Sequence, residues 1–77
     1  MKQKLVFGKM EKVQIDEPKT LQAVLKETMI LRGIPLERFD DVAKHVIFSV
    51  DNVLERALDT IVKVGQIVKL IPAQKGG

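Results

Sequence analysis

The sequence TLQAVLKETMILRG, residues 20–33, predicts the one long helix around which this chain is built. Thr20 precedes its first turn, where a hydroxyl can accept a hydrogen bond from a free backbone N–H. Gly33 follows Arg32 at the position where helices commonly end. We therefore predict a helix over about residues 20–32. Its core-facing side carries residues at the spacing of a single helical face, namely Leu21, Val24, Leu25, Thr28 and Met29.

Two alternating segments precede this helix. In residues 2–7 we expect Leu5 and Phe7 to face the core, and the segment from Met10 to Ile15 alternates in the same way. Gly8-Lys9 between them can form a tight turn, because glycine readily adopts positive φ. Together the two segments predict a β-hairpin.

Two further strands are predicted after the helix. The segment His45 to Val50 alternates, and so do residues 67–71, which follow a turn at Gly65 and end at Pro72, a residue with no N–H to donate. Between them, periodicity alone predicts a second helix over residues 51–62. The order of elements indicates an α+β domain with one main helix packed on a mixed sheet of four or five strands. We expect the first and last strands to be adjacent and parallel.

Chain length allows one small domain, over residues 1–72, followed by a flexible C-terminal tail at residues 73–77 that has nothing to pack into a core. The chain has no cysteine, which excludes disulfides, thiolate metal sites and a cysteine nucleophile. No apolar run approaches the roughly 20 residues that span a bilayer. With no signal peptide visible, we expect a cytoplasmic protein without a membrane partner.

Charge and side-chain inventory argue against nucleic-acid binding and against catalysis. The net charge is +3, but both signs alternate along the chain and no aromatic residues are interleaved as stacking platforms. His45 is the only histidine, and no second His or nucleophile pairs with it, so we expect an ordinary residue at a strand edge. Asp40-Asp41 is interpreted as solvated charge on a loop. We predict no metal site and no enzyme.

The chain ends in Gly76-Gly77, which is the pattern with the clearest chemical use. A carboxylate is a poor electrophile and must be activated, for example as an acyl-adenylate made with ATP. The end of the chain must then enter the channel of an enzyme, and two residues without Cβ suit close passage of the backbone. A glycine pair at a chain end without such a role would look the same.

The segment from His45 to Gly77 resembles the small ubiquitin-like sulfur carriers of the ThiS and MoaD type, which have the β-grasp fold. Val50-Asp51 stands at the end of the third predicted strand, where members of that family often have Val or Ile followed by Asn. GQIVKLIP, residues 65–72, is similar to its glycine turn, last strand and proline, and AQKGG, residues 73–77, to its tail. The chain departs from the family at Val64, because family members usually have an acidic residue just before the turn glycine. The resemblance implies, against the periodicity, a short edge strand near Val53-Leu54 and then a loop or a short helical turn.

The resemblance also implies a function for the C-terminal glycines. An ATP-dependent activating enzyme would adenylate the carboxylate of Gly77, with Gly76 passing through its channel, and sulfur would convert it to a thiocarboxylate. A second enzyme, a sulfur-accepting synthase, would take that sulfur for thiamine thiazole or for molybdopterin. The chain would itself bind no ATP and no other cofactor. It would act as a protein co-substrate.

The strand pattern adds a candidate docking surface. If the alternating core residues face the helix, then Val6, Ile47, Ile67 and Ile71 face away from it, beside Lys69. Such an exposed apolar patch is typical of a partner-binding site. Two other functions remain open from the sequence: a ubiquitin-like modifier conjugated through Gly77, and a nucleic-acid-binding domain that uses the positive charge.

Overall fold

A computed structural model describes residues 9–73 of the chain. They form an α+β domain in which one main helix lies on a four-stranded sheet. The helix predicted over about 20–32 is confirmed and is one residue shorter at each end. The elements are β1 (Glu11–Gln14), β2 (Lys19–Thr20), α1 (Leu21–Leu31), a 3₁₀ turn (Leu36–Arg38), α2 (Phe39–Lys44), β3 (Val46–Val50), β4 (Val53–Glu55), β5 (Ile61–Val62) and β6 (Ile67–Pro72).

The core lies between α1 and one face of the sheet. All five residues predicted for the inner side of the helix are buried. They pack against alternate residues of the two central strands, β3 and β6, as the strand pattern predicted. Those sheet residues are Val46, Phe48, Val50, Val68 and Leu70. Burial of these aliphatic and aromatic side chains is the main source of stability in a chain without disulfides.

Three backbone amides at the N-terminus of α1 have acceptors outside the helix. Leu21 N donates to Thr60 O at 2.9 Å and Gln22 N to Leu58 O at 3.0 Å. Ala23 N donates to the hydroxyl of Thr20 at 3.2 Å. The first turn of a helix always leaves such donors without an intrahelical partner. The loop that contains residues 58 and 60 therefore closes the start of α1.

Replacing Thr20 by Ala is expected to lower the free energy of unfolding by about 1 kcal/mol, because only the amide of Ala23 loses its acceptor. The neighbouring amides keep their carbonyl partners. Urea denaturation followed by circular dichroism measures the loss. Thr20→Ser keeps the hydroxyl and is the matched control. Equal losses in both variants would show that the methyl group, and not the cap, stabilises this end of α1.

Residues 51–62 do not form the second helix that periodicity alone predicts. Asp51 and Asn52 have φ values of 50° and 71° and make a tight turn. The short strand β4 then pairs with β3, as the family resemblance implied, and Val53 lies opposite Val50. The carbonyls of Leu58 and Thr60 accept from the first amides of α1, and this long-range bonding holds the segment after β4 as a loop.

The sheet order over the described residues is β1-β6-β3-β4, and each neighbouring pair is antiparallel. This corrects the predicted arrangement of the first and last strands. Residues 2–7 lie outside the described range, and the place beside the last strand that we assigned to them belongs to β1. Glu11 pairs with Leu70 and Gln14 with Ile67, while β3 occupies the other side of β6.

Two small features were not predicted from the sequence. Lys19–Thr20 pairs with Ile61–Val62 as a separate two-stranded ladder beside the helix. The chain after α1 forms a 3₁₀ turn and then the short helix α2, so Asp40 and Asp41 lie in the first turn of a helix and not on a loop. Acidic residues suit that position because it carries the positive end of the helix dipole.

Candidate functional site

The face of the sheet away from α1, here called the outer face, carries exposed aliphatic side chains. Ile47 lies opposite Ile71 across β3 and β6. Ile47 and Ile67 are 41% and 37% exposed, and Ile71 is half-buried. Leu54 of β4 lies opposite Ser49 on the same face and is 67% exposed. We call Ile47, Leu54, Ile67 and Ile71 the outer patch.

The orientation predicted for Ile47 and Ile67 is confirmed, whereas their role in docking stays a prediction. Val6, the remaining aliphatic residue predicted for this surface, lies outside the described residues. Leu54 was missed as a patch residue, because a strand of three residues is too short for alternation to show which side chain faces outward. The signal that could have found it is the pairing of β4 with β3, which follows from the tight turn at Asp51-Asn52.

Lys69 lies within the outer patch, between Ile67 and Ile71 on β6. Its ammonium donates a hydrogen bond to Asn52 Oδ1 at 3.1 Å. Across the ladder Lys69 lies directly opposite Lys12, which is exposed. Like charges directly opposite in a sheet repel one another. The outer face therefore combines apolar contact area with two cations, a surface that suits a partner with apolar and acidic groups.

The turn between β3 and β4 is tied to the start of β6 by the carboxylate of Asp51. Its Oδ1 accepts from Ile67 N and its Oδ2 from Gln66 Nε2, each at 3.1 Å. Asp51 N donates in turn to Ile67 O at 3.0 Å. Charge-assisted bonds of this kind hold geometry better than neutral ones. They secure the register of the last strand, which places Ile67, Lys69 and Ile71 on the outer face.

The last strand ends at a defined contact. Pro72 has no N–H, and the next residue, Ala73, donates its amide to His45 O at 2.8 Å. Ala73 is also the last described residue, so Gly76 and Gly77, the residues predicted to react, lie outside the described range. The predicted flexible tail, residues 73–77, is covered only at Ala73. Ala73, here called the root of the C-terminal segment, is therefore placed by the structure, whereas the reaction at Gly77 stays a prediction.

An open groove of about 590 Å³ lies beside Ala73 and was not predicted from the sequence. Side chains of α2 form one wall and β3 with the segment after β4 the other. Its apolar lining includes Phe39, Ala43 and Leu58. Charged residues also line it, two of each sign: Asp40, Glu55, Lys44 and Arg56. The described residues that line the groove include no pair of nucleophile and base.

Two basic groups of residues 9–73 have a raised pKa, and both lie in ion pairs of α1 and not in the outer patch. A side-chain hydrogen bond to Glu27, at 2.8 Å, is the main cause that raises the pKa of Lys19. The hydrogen bond and charge of Glu11 raise the pKa of Arg32. These pairs join α1 to β2 and to β1, and their role is structural.

Within residues 9–73 there is no cluster of three or more acidic, His or Cys side chains that could hold a metal ion. None of the helices in that range has the length and apolar character needed to cross a membrane. The chain matches no family model, and no curated protein or solved structure matches it either.

Proposed function

We propose that this chain is a sulfur carrier whose C-terminal carboxylate, on Gly77, is the group that reacts. An ATP-dependent activating enzyme joins this carboxylate to AMP with release of pyrophosphate. A sulfur donor then displaces AMP and leaves a thiocarboxylate. The carrier docks to a sulfur-accepting synthase of thiamine thiazole or molybdopterin formation and gives up the sulfur there. ATP is bound by the partner, and this chain is a co-substrate.

The observation that carries the proposal is the position of the last strand. β6 lies inside the sheet with a strand on each side, and it delivers the chain to Ala73, which is held by His45 O. Gln74, Lys75, Gly76 and Gly77 come after Ala73 in the sequence. At full extension four residues reach at most about 14 Å. A short extension from a fixed root suits the delivery of a chain end to the nucleotide in another enzyme.

The outer patch supplies the second requirement of a carrier, which is a surface for its partners. Its aliphatic residues lie on the three consecutive strands β6, β3 and β4 around Lys69, and Lys12 of β1 adds a second cation. The partner surface would be apolar with acidic groups. Because β6 carries both the patch and the root of the C-terminal segment, docking there would fix the direction in which Gly77 approaches.

The β-grasp fold is part of the same proposal. A helix of about three turns on one face of a sheet, a central last strand and a short edge strand at β4 support it. The antiparallel pairing of β1 with β6 differs from the parallel neighbour that we expected. Long-range NOEs between backbone protons of residues 1–8 and of the sheet test this topology. We also propose a cytoplasmic location, which is compatible with a chain that lacks cysteine.

Intact mass spectrometry of the protein isolated from its host tests the proposal. Exchange of one terminal oxygen for sulfur raises the mass by about 16 Da, as does oxidation of one of the three methionines. Alkylation at the sulfur separates the two, because only the thiocarboxylate gains the alkyl group at Gly77. A terminus that is never alkylated would contradict the proposal. Conjugates of higher mass joined through Gly77 to lysines would instead indicate a ubiquitin-like modifier.

A further inference from the structure

His45 makes three hydrogen bonds that join α2 to the root of the C-terminal segment. Its backbone N–H donates to Val42 O at 2.9 Å, and its carbonyl accepts from Ala73 N at 2.8 Å. Its ring Nδ1 lies 2.8 Å from Asp41 O. Nδ1 carries the proton in this contact, because a carbonyl oxygen can only accept. The ring is half-buried.

The backbone of His45 is not extended, since its φ is −112° and its ψ is 17°. The residue is the C-cap of α2, and β3 begins one residue later. This corrects the expectation of an ordinary strand-edge residue. The direction of its carbonyl is set by that cap geometry. In the structure the Nδ1–H and the backbone N–H hold His45 against the last turn of α2, and its carbonyl therefore points at β6.

Within residues 9–73, the hydrogen bond from Ala73 to His45 O is the last one along the β6–β3 ladder. Hydrogen-bonded pairs alternate along an antiparallel ladder. Pro72, opposite Val46, falls at a position that needs no donor toward β3, and Ala73 falls at the next hydrogen-bonded position. Without this bond, the strand would be released from β3 before Ala73.

We propose that His45 is a positioning residue that fixes Ala73, the residue from which the chain continues toward Gly77. The hydrogen bond of the ring to Asp41 O stabilises the C-cap conformation at the end of α2. That conformation sets the direction of the His45 carbonyl, which accepts the hydrogen bond from Ala73 N. The inference rests on the proposed function of Gly77 for its catalytic consequence only. Releasing Ala73 would move the last fixed position back by one residue, which is about 3.5 Å of extended chain. The four residues from Gln74 to Gly77 span at most about 14 Å. Errors of about 1 Å in the placement of reacting atoms are costly.

The ring is expected to matter because α2 is only six residues long. A helix this short has few internal hydrogen bonds, so each contact at its C-terminus carries a large share of its order. His45→Ala removes the contact with Asp41 O. His45→Asn places an amide N–H close to the former position of Nδ1 and is the conservative variant. Lys44→Ala, at the exposed neighbouring residue, is the control.

Amide hydrogen exchange measured by NMR tests the position of the root without any enzyme. In His45→Ala the amide of Ala73 is expected to exchange about tenfold faster than in the parent, because its acceptor is no longer held in place. The amides of Ser49 and Lys69, in the middle of the ladder, should keep their rates. His45→Asn should restore protection at Ala73, and Lys44→Ala should leave it unchanged.

Adenylation kinetics test the catalytic consequence. His45→Ala is expected to lower kcat several-fold, while the carrier concentration for half-maximal rate stays the same, because the outer patch is intact. Ala73→Pro removes the donor from the other side of the bond and should lower kcat to the same extent. It leaves His45 and α2 untouched, so it decides the question even if His45→Ala disturbs the fold.

Unchanged exchange at Ala73 in His45→Ala, or full kcat in Ala73→Pro, would overturn the inference. Equal effects in His45→Ala and His45→Asn would do the same, because the hydrogen bond of the ring would then be irrelevant. If the parent chain is not adenylated by any activating enzyme, the proposed function fails. The exchange rates would then decide alone whether His45 holds the root of this segment.

Discussion

Removal of Gly77 is expected to abolish adenylation at every carrier concentration, while the melting temperature stays that of the parent. The deletion takes away the carboxylate that would react and leaves a chain end one residue short of it. Gln74, Lys75 and Gly76 carry no large apolar side chain. Among the described residues, the buried core lies between Ile15 and Leu70, so its packing is expected to stay unchanged. ATP–pyrophosphate exchange with the activating enzyme measures the loss, and thermal denaturation checks the fold.

The shortened chain supplies its own control for docking. Its outer patch is intact, so it should compete with the parent and inhibit adenylation of the parent in proportion to its concentration. Combining the deletion with Ile47→Asp should remove that inhibition. Full turnover by the chain that lacks Gly77 would refute the assignment of its carboxylate as the reacting group.

Substituting Asp for Ile47 or Ile67 is expected to weaken docking by about 2 kcal/mol, which is roughly a 30-fold rise in the carrier concentration for half-maximal rate. The substitution removes apolar contact area and places a negative charge where the partner is expected to be acidic. Maximal turnover should be recovered at high carrier concentration, because the terminus remains competent. Exchange kinetics over a wide range of carrier concentration measure both quantities.

Leu31→Asp is the matched control for the patch variants. Leu31 is an aliphatic residue that is 83% exposed, but it lies on α1, in the other layer of the fold. Leu31→Asp should leave the carrier concentration for half-maximal rate unchanged. A general effect of added negative charge would instead raise this concentration as much as Ile47→Asp does. An equal shift in the two variants would exclude the outer patch as the docking surface.

The helix and the faces of the two central strands could be predicted from local pattern. The inner residues of α1, from Leu21 to Met29, repeat at helical spacing, and Val46 and Phe48 alternate with Ile47. Periodicity reports which side of an element is apolar, and burial follows from that directly. The same reasoning placed Ile47 and Ile67 on the outer face before any pairing was known.

Local pattern was insufficient for residues 51–62 and for α2. The apolar spacing after Val50 fits a helix, yet the chain forms a tight turn at Asp51-Asn52, a short strand and a loop. The loop is fixed because the Leu58 carbonyl accepts a hydrogen bond from α1. Short elements such as α2, with six residues, contain too few apolar positions for helical periodicity to be recognised. In both cases partners distant in sequence supply the stabilising contacts, and these are absent from any local window.

Residue types and their spacing were enough to predict the α+β class and the apolar faces of the elements, whereas the chemistry of Gly77 stays a proposal that rests on a family resemblance. Tertiary structure alone decided which strand lies beside the last one, that Leu54 joins the outer patch, and that His45 holds Ala73. Strand neighbours and hydrogen-bond partners are selected by competition among long-range pairings that share the same local pattern. That competition placed β1, antiparallel, beside β6.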